Sequence, residues 1–279
     1  MDTLLTRIRE SYTGFGRGEK KIADWILANP SELISLSISE MAANCGCGDA
    51  TVIRFAKRLG LSGFQELKIN IARELGSGLT GNLSFVESDT PIDIFDKHIA
   101  DIKATLDESR KSLNPASLHK AAEVLLEAKS IAVIGLGSSA PVAQDAMHKL
   151  LRAGLPAFAY SDNHMQMIVA SHLTASDAVL AISHSGSSVD IVKALEEAKR
   201  NGAVTIGITN HKKSPMVAYC DICLFTNAQE TKYSILGMTS RIAQLAIIDT
   251  LYTYVVLHGG EAVTGAVRRT EAALESKKY

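Results

Sequence analysis

Apolar residues in the N-terminal part of the chain recur at the spacing of an α-helix. One set follows the pattern i, i+3, i+4 and i+7 and comprises Val52, Phe55, Ala56 and Leu59. This spacing predicts a helix over residues 49–59 with one buried face. Upstream, Ser37 and Glu40 have the spacing of a capping box, so a shorter helix should begin near Ile38. The glycines of Cys-Gly-Cys-Gly (45–48) favour a turn between these two helices, which predicts a helix-turn-helix.

The second half of the chain has a different pattern, in which short apolar runs alternate with helical segments. The runs that we interpret as strands lie within residues 130–139, 157–160, 178–183, 204–209 and 222–225. Strands that are apolar on both faces and separated by helices are typical of a parallel sheet with helices on both sides. We therefore predict a multidomain chain, with an all-α helix-turn-helix domain followed by an α/β domain. The α/β domain should contain a five-stranded parallel sheet flanked by helices.

Shifts in composition give the expected domain boundaries. A stretch rich in Gly, Ser and Asn separates the two halves, which is typical of a flexible connection. The predicted organisation is a helix-turn-helix domain at 1–76, a linker at 77–91, connecting helices at 92–127, the α/β domain at 128–257, and a C-terminal tail or helix at 258–279.

Composition restricts the class of protein. The chain has 279 residues, 46 % of them hydrophobic, and a net charge of −1, which excludes a chain that is basic throughout but allows a local basic patch. Its first residues lack the cationic start and long apolar stretch of a signal peptide. The most apolar long stretch, 242–257, is interrupted by Gln244, Asp249 and Thr250. We expect no membrane span and a cytoplasmic protein.

The four cysteines include one pair with a spacing that could carry chemistry. Cys220-x-x-Cys223 fits a redox pair or half of a metal site. A redox motif should open a helix, whereas Cys223 lies in a predicted strand. A zinc site needs a second pair of ligands, for which Cys45-Gly-Cys47 is a poor candidate. We expect ordinary reduced cysteines, no metal and no cofactor.

The second helix of the predicted helix-turn-helix has a basic outer face. Opposite the buried stripe lie Thr51, Arg54, Lys57 and Arg58. Lys and Arg neutralise DNA phosphates, and Arg also bonds guanine edges. The first residues of such a helix point to the floor of the major groove, and here they are Gly48, Asp49, Ala50 and Thr51. An ordinary solvated face is the alternative, and these residues alone leave both interpretations open.

Two predicted strands run into Ser/Gly turns that precede helices. The turns are Gly-Leu-Gly-Ser-Ser (135–139) and Ser-His-Ser-Gly-Ser-Ser (183–188). Strand ends, helix N-termini and serine hydroxyls together favour an anion such as phosphate. A serine nucleophile would prefer Gly-x-Ser-x-Gly, and the first turn lacks the third glycine of a dinucleotide site. A phosphate site and a Ser-rich helix cap both remain open.

The N-terminal segments carry a family resemblance. Residues 19–30, Ser-Glu-Met-Ala (39–42), 50–60 and 63–68 resemble the N-terminal domain of RpiR/MurR-type bacterial transcription regulators, over nearly all of 1–76. Serine is common in the family where Gly18 and Gly48 stand. Gly48 lies at the cap of the recognition helix, where glycine is acceptable. The resemblance implies binding to a double-stranded DNA operator.

The α/β half resembles a sugar isomerase (SIS) domain over about residues 128–257. The resemblance rests on both Ser/Gly turns, on 201–209 and on 240–249. It implies that a phosphate is held by hydroxyls of Ser139, Ser183, Ser185 and Ser188. It also implies that the walls are completed by Ser138, His184, Gly186 and Ser187. Many isomerases have glutamate in place of Ser187, and its absence favours sensing.

Together the resemblances imply a regulator of carbohydrate metabolism that is controlled by a phosphorylated sugar. Such a protein should act as a homodimer or homotetramer, because a helix-turn-helix usually reads paired half-sites. The alternative is an SIS-type isomerase with an appended helical domain, with Glu230 or His184 as the base. Arg241 would contact a ligand or form an intersubunit salt bridge. We favour the regulator without catalytic activity, because that interpretation uses the whole chain.

Overall fold

The computed structural model describes residues 3–34, 36–75, 85–228 and 238–275. These residues form two compact units, and the division falls after residue 104. The first unit also takes residues 238–239, and the second continues from 240. The predicted linker at 77–91 lies partly outside the described residues, and the predicted domain boundaries stay predictions.

The first unit is built from helices. They are α1 (Leu4–Ser11), α2 (Arg17–Ala28), α3 (Pro30–Leu33), α4 (Ile38–Asn44), α5 (Asp49–Arg58), α6 (Phe64–Glu74) and the first part of α7 (Pro91–Ser112), with a 3-10 turn at Tyr12–Gly14. Their shared core contains fully buried side chains from six helices, α1 to α6, among them Ile8, Ile22, Leu33, Phe55 and Leu67. Burial of this size stabilises each short helix far more than its intrinsic propensity does.

The helix-turn-helix forms where the sequence predicts it. Ser37 Oγ accepts from the Glu40 N–H over 3.2 Å and Glu40 Oε2 accepts from the Ser37 N–H over 2.8 Å, which confirms the capping box at the start of α4. Gly46 takes a left-handed backbone with φ of +58° in the turn. Gly48 caps α5 with an extended backbone and contributes no side chain.

The second unit is an α/β fold. Its helices are the remainder of α7, α8 (Pro115–Glu127), α9 (Ala140–Arg152), α10 (Asn163–Ala170), α11 (Val189–Arg200), α12 (Met238–His258) and α13 (Gly260–Glu275), with 3-10 helices at Gly137–Ser139 and Pro215–Tyr219. Its strands are β1 (Ile131–Gly135), β2 (Ala157–Tyr160), β3 (Ala178–Ile182), β4 (Val204–Thr209) and β5 (Ile222–Phe225). All the pairings are parallel in the order β2-β1-β3-β4-β5, which confirms the predicted sheet.

Both faces of the sheet are covered. Alternate strand residues such as Ile131 and Val133 pack with α8, α9, α12 and α13, whereas Ala132 and Ile134 pack with α10 and α11. This explains why the strands are apolar at every position. The crossover from β1 leads to β2 on one side, and the next crossover leads from β2 back past β1 to β3 on the other side. The β1/β3 junction is therefore the topological switch point, where ligands of such sheets bind.

Within the described ranges, no single helix is long and apolar enough to cross a membrane. The pair α12 and α13 passes that test together, but its helices are bent by 114° at their junction.

Candidate functional site

The turn after β1 folds back tightly onto its strand. A Cβ on Gly135 would lie 2.8 Å from the Ser139 carbonyl oxygen, and Gly137 has a φ of +55°. Ser139 is the N-cap of α9 and is 5 % exposed, but its side chain makes no capping hydrogen bond within the described residues. Ser138 is exposed. The turn therefore places the Ser138 and Ser139 hydroxyls at the start of α9, where the Ala140 N–H donates to the Gly137 carbonyl.

The turn after β3 is held by its own hydrogen bonds. The Gly186 N–H donates to Ser183 Oγ over 3.1 Å, and the Ser187 N–H donates to Ser185 Oγ over 3.3 Å. Ser187 Oγ donates to the Ser185 carbonyl over 3.2 Å. Ser188 is the N-cap of α11, and in the described part of the chain its hydroxyl, like that of Ser139, makes no capping bond. Both helices thus begin with a serine whose hydroxyl is not used to cap them.

The sheet places the two turns side by side. Gly135 and Ile182 are register partners at the carboxyl ends of β1 and β3. The turns begin directly after these residues, at the switch point of the sheet. Two helix N-termini at one sheet edge favour a negatively charged group, because their N–H groups and dipoles both present positive charge.

The turn after β3 is also wedged against the loop after β4. Gly186 has a φ of +60°, and a Cβ there would lie 2.8 Å from Thr209 Oγ1 and would overlap Ser214 Oγ. The His184 carbonyl accepts from the Asn210 N–H over 3.0 Å and from Thr209 Oγ1 over 3.2 Å. The His184 ring lies edge-on to that of His211, with 5.7 Å between centroids. This segment is therefore fixed by contacts from a loop that the sequence did not identify.

Of the three residues considered as a catalytic base or a sugar contact, the structure describes two. Glu230 lies outside the described residues. Arg241 is half-buried in the first turns of α12. His184 lies in the turn after β3, half-buried.

Gln166 is a candidate that sequence reasoning missed. Its side chain on α10 is 1 % exposed, and Nε2 donates to the Tyr160 carbonyl over 2.8 Å and approaches the Gly135 carbonyl at 3.4 Å. It therefore links the ends of β1 and β2 at the same sheet edge. The sequence signal that could have located this helix is its N-cap residue, Asp162. Its side chain accepts from the Met165 N–H over 2.9 Å.

The outer face of α5 divides into exposed and engaged residues. Arg54 and Lys57 are exposed, as are Gly48 and Ala50 at the helix start. Thr51 is half-buried beside Gly18 on α2. Arg54 and Lys57 give the exposed side of α5 the positive charge that binding to a DNA backbone requires.

Two predicted DNA-contacting residues have partners within the chain. Arg58 donates to Glu19 and to the Gly14 carbonyl, each over 2.7 Å, and lies over the Phe15 ring at 5.6 Å. Asp49 Oδ2 accepts from Ser39 Oγ over 2.8 Å, which joins the first turns of α4 and α5. These bonds do not test the predicted contact with DNA, and they suggest positioning of α5 as an alternative role for both residues.

The described residues contain no group of three or more His, Cys, Asp or Glu side chains that could hold a metal ion. All the cysteines are free thiols.

Comparison with known proteins places both halves in recognised families. Residues 2–78 match the helix-turn-helix domain of the rpiR family, and residues 124–254 match the SIS domain. An HTH-type transcriptional regulator of Caldanaerobacter subterraneus is 37 % identical and aligns over 100 % of this chain and 99 % of its own. HexR regulators are 34 % identical in Pseudomonas aeruginosa (100 % of this chain, 98 % of that one) and 31 % identical in Escherichia coli (99 % and 96 %).

Solved structures agree on the fold. NanR of Vibrio vulnificus, complexed with ManNAc-6P, aligns with a TM-score of 0.82 at 24 % identity, over 99 % of both chains. The sugar isomerase domain of an RpiR transcription factor from Sphaerobacter thermophilus aligns with a TM-score of 0.56 at 22 % identity, over 65 % of this chain and 98 % of that one. The family predicted from the sequence is confirmed: the chain belongs to the rpiR family of helix-turn-helix transcriptional regulators with a C-terminal SIS domain.

Proposed function

We propose that this transcriptional regulator senses a phosphorylated sugar in its SIS domain and controls genes of carbohydrate metabolism. The phosphate would occupy the edge between the turns after β1 and β3. Binding would bias the protein between states of different affinity for operator DNA, which requires that the sugar prefer one of them.

One observation carries the proposal. Two serine-rich turns follow adjacent parallel strands, and each precedes a helix whose N-cap serine, Ser139 or Ser188, leaves its hydroxyl out of the cap. An ordinary Ser-rich cap would use that hydroxyl on the helix N–H groups. Hydroxyls and N–H groups at one edge suit the oxygens of a phosphate. The ManNAc-6P complex of the structurally similar NanR supports this class of ligand.

The further groups have separate proposed roles. Ser183 and Ser185 would contribute hydroxyls to the phosphate, while Ser138, His184, Gly186 and Ser187 would form the walls. Ser183 Oγ already accepts from the Gly186 N–H, so Ser183 would donate its own O–H to the phosphate. We propose binding without catalysis, since the relatives at 31–37 % identity are named as transcriptional regulators.

The first unit would read DNA through α5. Gly48, Ala50 and Thr51 would face the groove floor, and Arg54 and Lys57 would contact bases and phosphates. Asp49 and Arg58, which are engaged within the chain, would position the helix. A homodimer or homotetramer would supply the paired reading heads that a palindromic operator requires. A regulator of this kind works in the cytoplasm, where its operator lies.

An electrophoretic mobility shift tests the proposal. The full chain is mixed with the promoter fragments that flank its own gene at low salt, without and with a panel of sugar phosphates. We expect a shifted band whose intensity changes with one sugar phosphate but not with the unphosphorylated sugar. Absence of a shift on every flanking fragment would remove the DNA-binding part. A shift that no sugar phosphate changes would remove the sensing part.

Turnover assays test the absence of catalysis. The purified chain is incubated with fructose 6-phosphate and other ketose phosphates, and aldose formation is measured. We expect no conversion above the uncatalysed rate, and measurable conversion would favour the isomerase.

A further inference from the structure

Cys220 and Cys223 come together over one backbone position of β4. Gly207 and Cys223 are register partners, so the Cys223 side chain lies on the sheet face that a Gly207 side chain would occupy. Cys220 enters that space from the turn before β5, and a Cβ on Gly207 would lie 2.5 Å from its Sγ. The two side chains therefore lie on the same side of β4. Gly207 is therefore the residue that makes room for the pair.

The surroundings make the two thiols unequal. A hydrogen bond from Cys220 lowers the pKa of Cys223, although burial opposes this. The Lys199 ammonium also lowers that pKa, and the Asp221 carboxylate raises it. The hydrogen bond with Cys223, followed by burial, raises the pKa of Cys220. Lys199 forms a salt bridge with Asp221, with 2.9 Å between Nζ and Oδ1. Both cysteines are only half-buried, so a small oxidant can reach them.

The other cysteines provide an internal contrast. Burial raises the pKa of Cys45 to about 11, and burial also raises the pKa of Cys47. Neither has a thiol whose anion is favoured, although they are separated by a single residue. Reactivity toward oxidants should therefore differ between the two pairs.

The thiol pair is linked to the proposed phosphate turn. Cys220 directly follows the 3-10 helix Pro215–Tyr219, and its N–H donates to the Val217 carbonyl over 3.3 Å. At the other end of that helix, the Met216 N–H donates to the Gly186 carbonyl over 3.0 Å. If Cys220 moves, the 3-10 helix and its hydrogen bond to Gly186 can therefore transmit the movement to the turn after β3.

We propose that Cys220 and Cys223 are a peroxide-sensitive thiol pair that forms a reversible disulfide and thereby changes the turn after β3. The Cys223 thiolate attacks hydrogen peroxide; its O–O bond breaks, and the hydroxide that leaves takes a proton to give water. Cys220, after losing its proton, attacks the sulfur of the resulting sulfenic acid. The S–S bond forms, the S–O bond breaks, and the leaving hydroxide takes that proton as a second water. The effect on the turn rests on the proposed sugar-phosphate function, whereas disulfide formation does not.

Mass spectrometry of the full chain tests the chemistry. After treatment with hydrogen peroxide and alkylation of free thiols, we expect a cross-linked Cys220–Cys223 peptide that has lost two hydrogens and that dithiothreitol restores. Cys45 and Cys47 should be alkylated. The double variant Cys45→Ser/Cys47→Ser should form the same cross-link. If Cys220 and Cys223 remain alkylated, or if both pairs oxidise equally, the proposal is wrong.

Single variants test which thiol attacks. In Cys220→Ser, a 1,3-diketone probe should trap a sulfenic acid on Cys223. In Cys223→Ser, peroxide should leave Cys220 alkylated. Sulfenic acid on Cys220 alone would overturn the assigned order.

Inorganic phosphate tests the link to the turn. We expect phosphate to raise the thermal midpoint of the reduced chain and to raise that of the oxidised chain by a different amount. Peroxide should not alter the phosphate effect in Cys223→Ser. Equal effects in the reduced and oxidised chain would overturn the link alone. No phosphate effect on the reduced chain would count against the proposed pocket and the link, while the disulfide would stand.

Discussion

Arg58, in the last turn of α5, donates from Nη1 to Glu19 Oε2 on α2 over 2.7 Å. The same carboxylate oxygen accepts from the Gly16 N–H over 2.8 Å, where it completes the cap of α2. Arg58 Nη2 reaches the Gly14 carbonyl. Arg58, which belongs to the predicted DNA-reading face, therefore joins α5 to the start of α2. Its expected role differs for this reason from that of Arg54.

Arg54→Ala and Arg58→Ala should weaken operator binding in different ways. Arg54 is exposed, so its loss should reduce the slope of log affinity against log salt by about one phosphate contact. Arg58→Ala should leave that slope unchanged and lower the thermal midpoint. The loss of stability should be below about 1 kcal/mol, because the arginine side chain is 49 % exposed and its ion pair is screened by solvent.

Fluorescence anisotropy at several salt concentrations measures both variants, and circular dichroism follows unfolding. If Arg58→Ala reduces the salt slope as much as Arg54→Ala does, Arg58 contacts phosphate and the positioning role is wrong.

Gly48→Ser should stabilise the first unit. Gly48 caps α5 at φ of −92° and ψ of 156°, and a Cβ there would meet nothing within 4 Å. A serine hydroxyl can therefore accept from the first turn of α5 without strain, with a gain of about 0.2–0.5 kcal/mol. Urea unfolding measures the gain, and Gly48→Ala is the matched control that adds a Cβ without an acceptor. Equal midpoints for the two variants would contradict the capping argument.

Gly186→Ala should disrupt the turn after β3, whereas Gly137→Ala should be milder. Both glycines have positive φ, of +60° and +55°. The new Cβ at 186 would overlap Ser214 Oγ, while the one at 137 has no atom within 4 Å. We expect a cost on the order of 2–3 kcal/mol at 186 and about 1 kcal/mol at 137.

Denaturant unfolding gives the two costs. The response to sugar phosphate should disappear in Gly186→Ala, because the turn can no longer rest against Ser214. Similar stability losses in the two variants would show that the contact with Ser214 does not constrain the turn.

Asp221 should make the second unit sensitive to acid. Partial burial opposes ionisation, but the Thr205 N–H, the Lys199 ammonium and the Thr205 hydroxyl together hold the pKa of Asp221 below its usual value. A carboxyl whose pKa is lower in the folded chain contributes stability above its unfolded pKa, and that contribution is lost as pH falls through the folded pKa.

Unfolding midpoints between pH 6 and pH 3 test this. The wild-type midpoint should fall more steeply below about pH 4, the unfolded pKa of aspartate, than that of Asp221→Asn. Parallel curves would show that Asp221 is not coupled to folding.

Local signals predicted much of the fold. The Ser37–Glu40 capping box, the α5 stripe that includes Phe55, and the apolar strands depend on residues close together in sequence, and all of them form as expected. The Ser/Gly turns were placed correctly at strand ends because each one separates a short continuous apolar run from a segment with helical periodicity.

Long-range contacts could not be predicted in the same way. Glu19 and Arg58 are 39 residues apart, and nothing in either segment identifies the other. No local signal marked the loop after β4, although its Ser214 lies against Gly186. The position of Cys220 and Cys223 over Gly207 could not be predicted either, because Gly207 lies on another strand.

Sugar-phosphate titration of the operator complex tests the central claim most directly. The full chain is bound to its labelled operator, the sugar phosphate identified in the mobility-shift panel is added, and anisotropy is recorded for the wild type and for Ser139→Ala/Ser188→Ala. Ser171→Ala is the matched control, since that hydroxyl donates to the Ile168 carbonyl at the end of α10. We predict that wild type and control respond and that the double variant binds the operator with unchanged affinity but no longer responds. An unchanged response in the double variant would contradict the account.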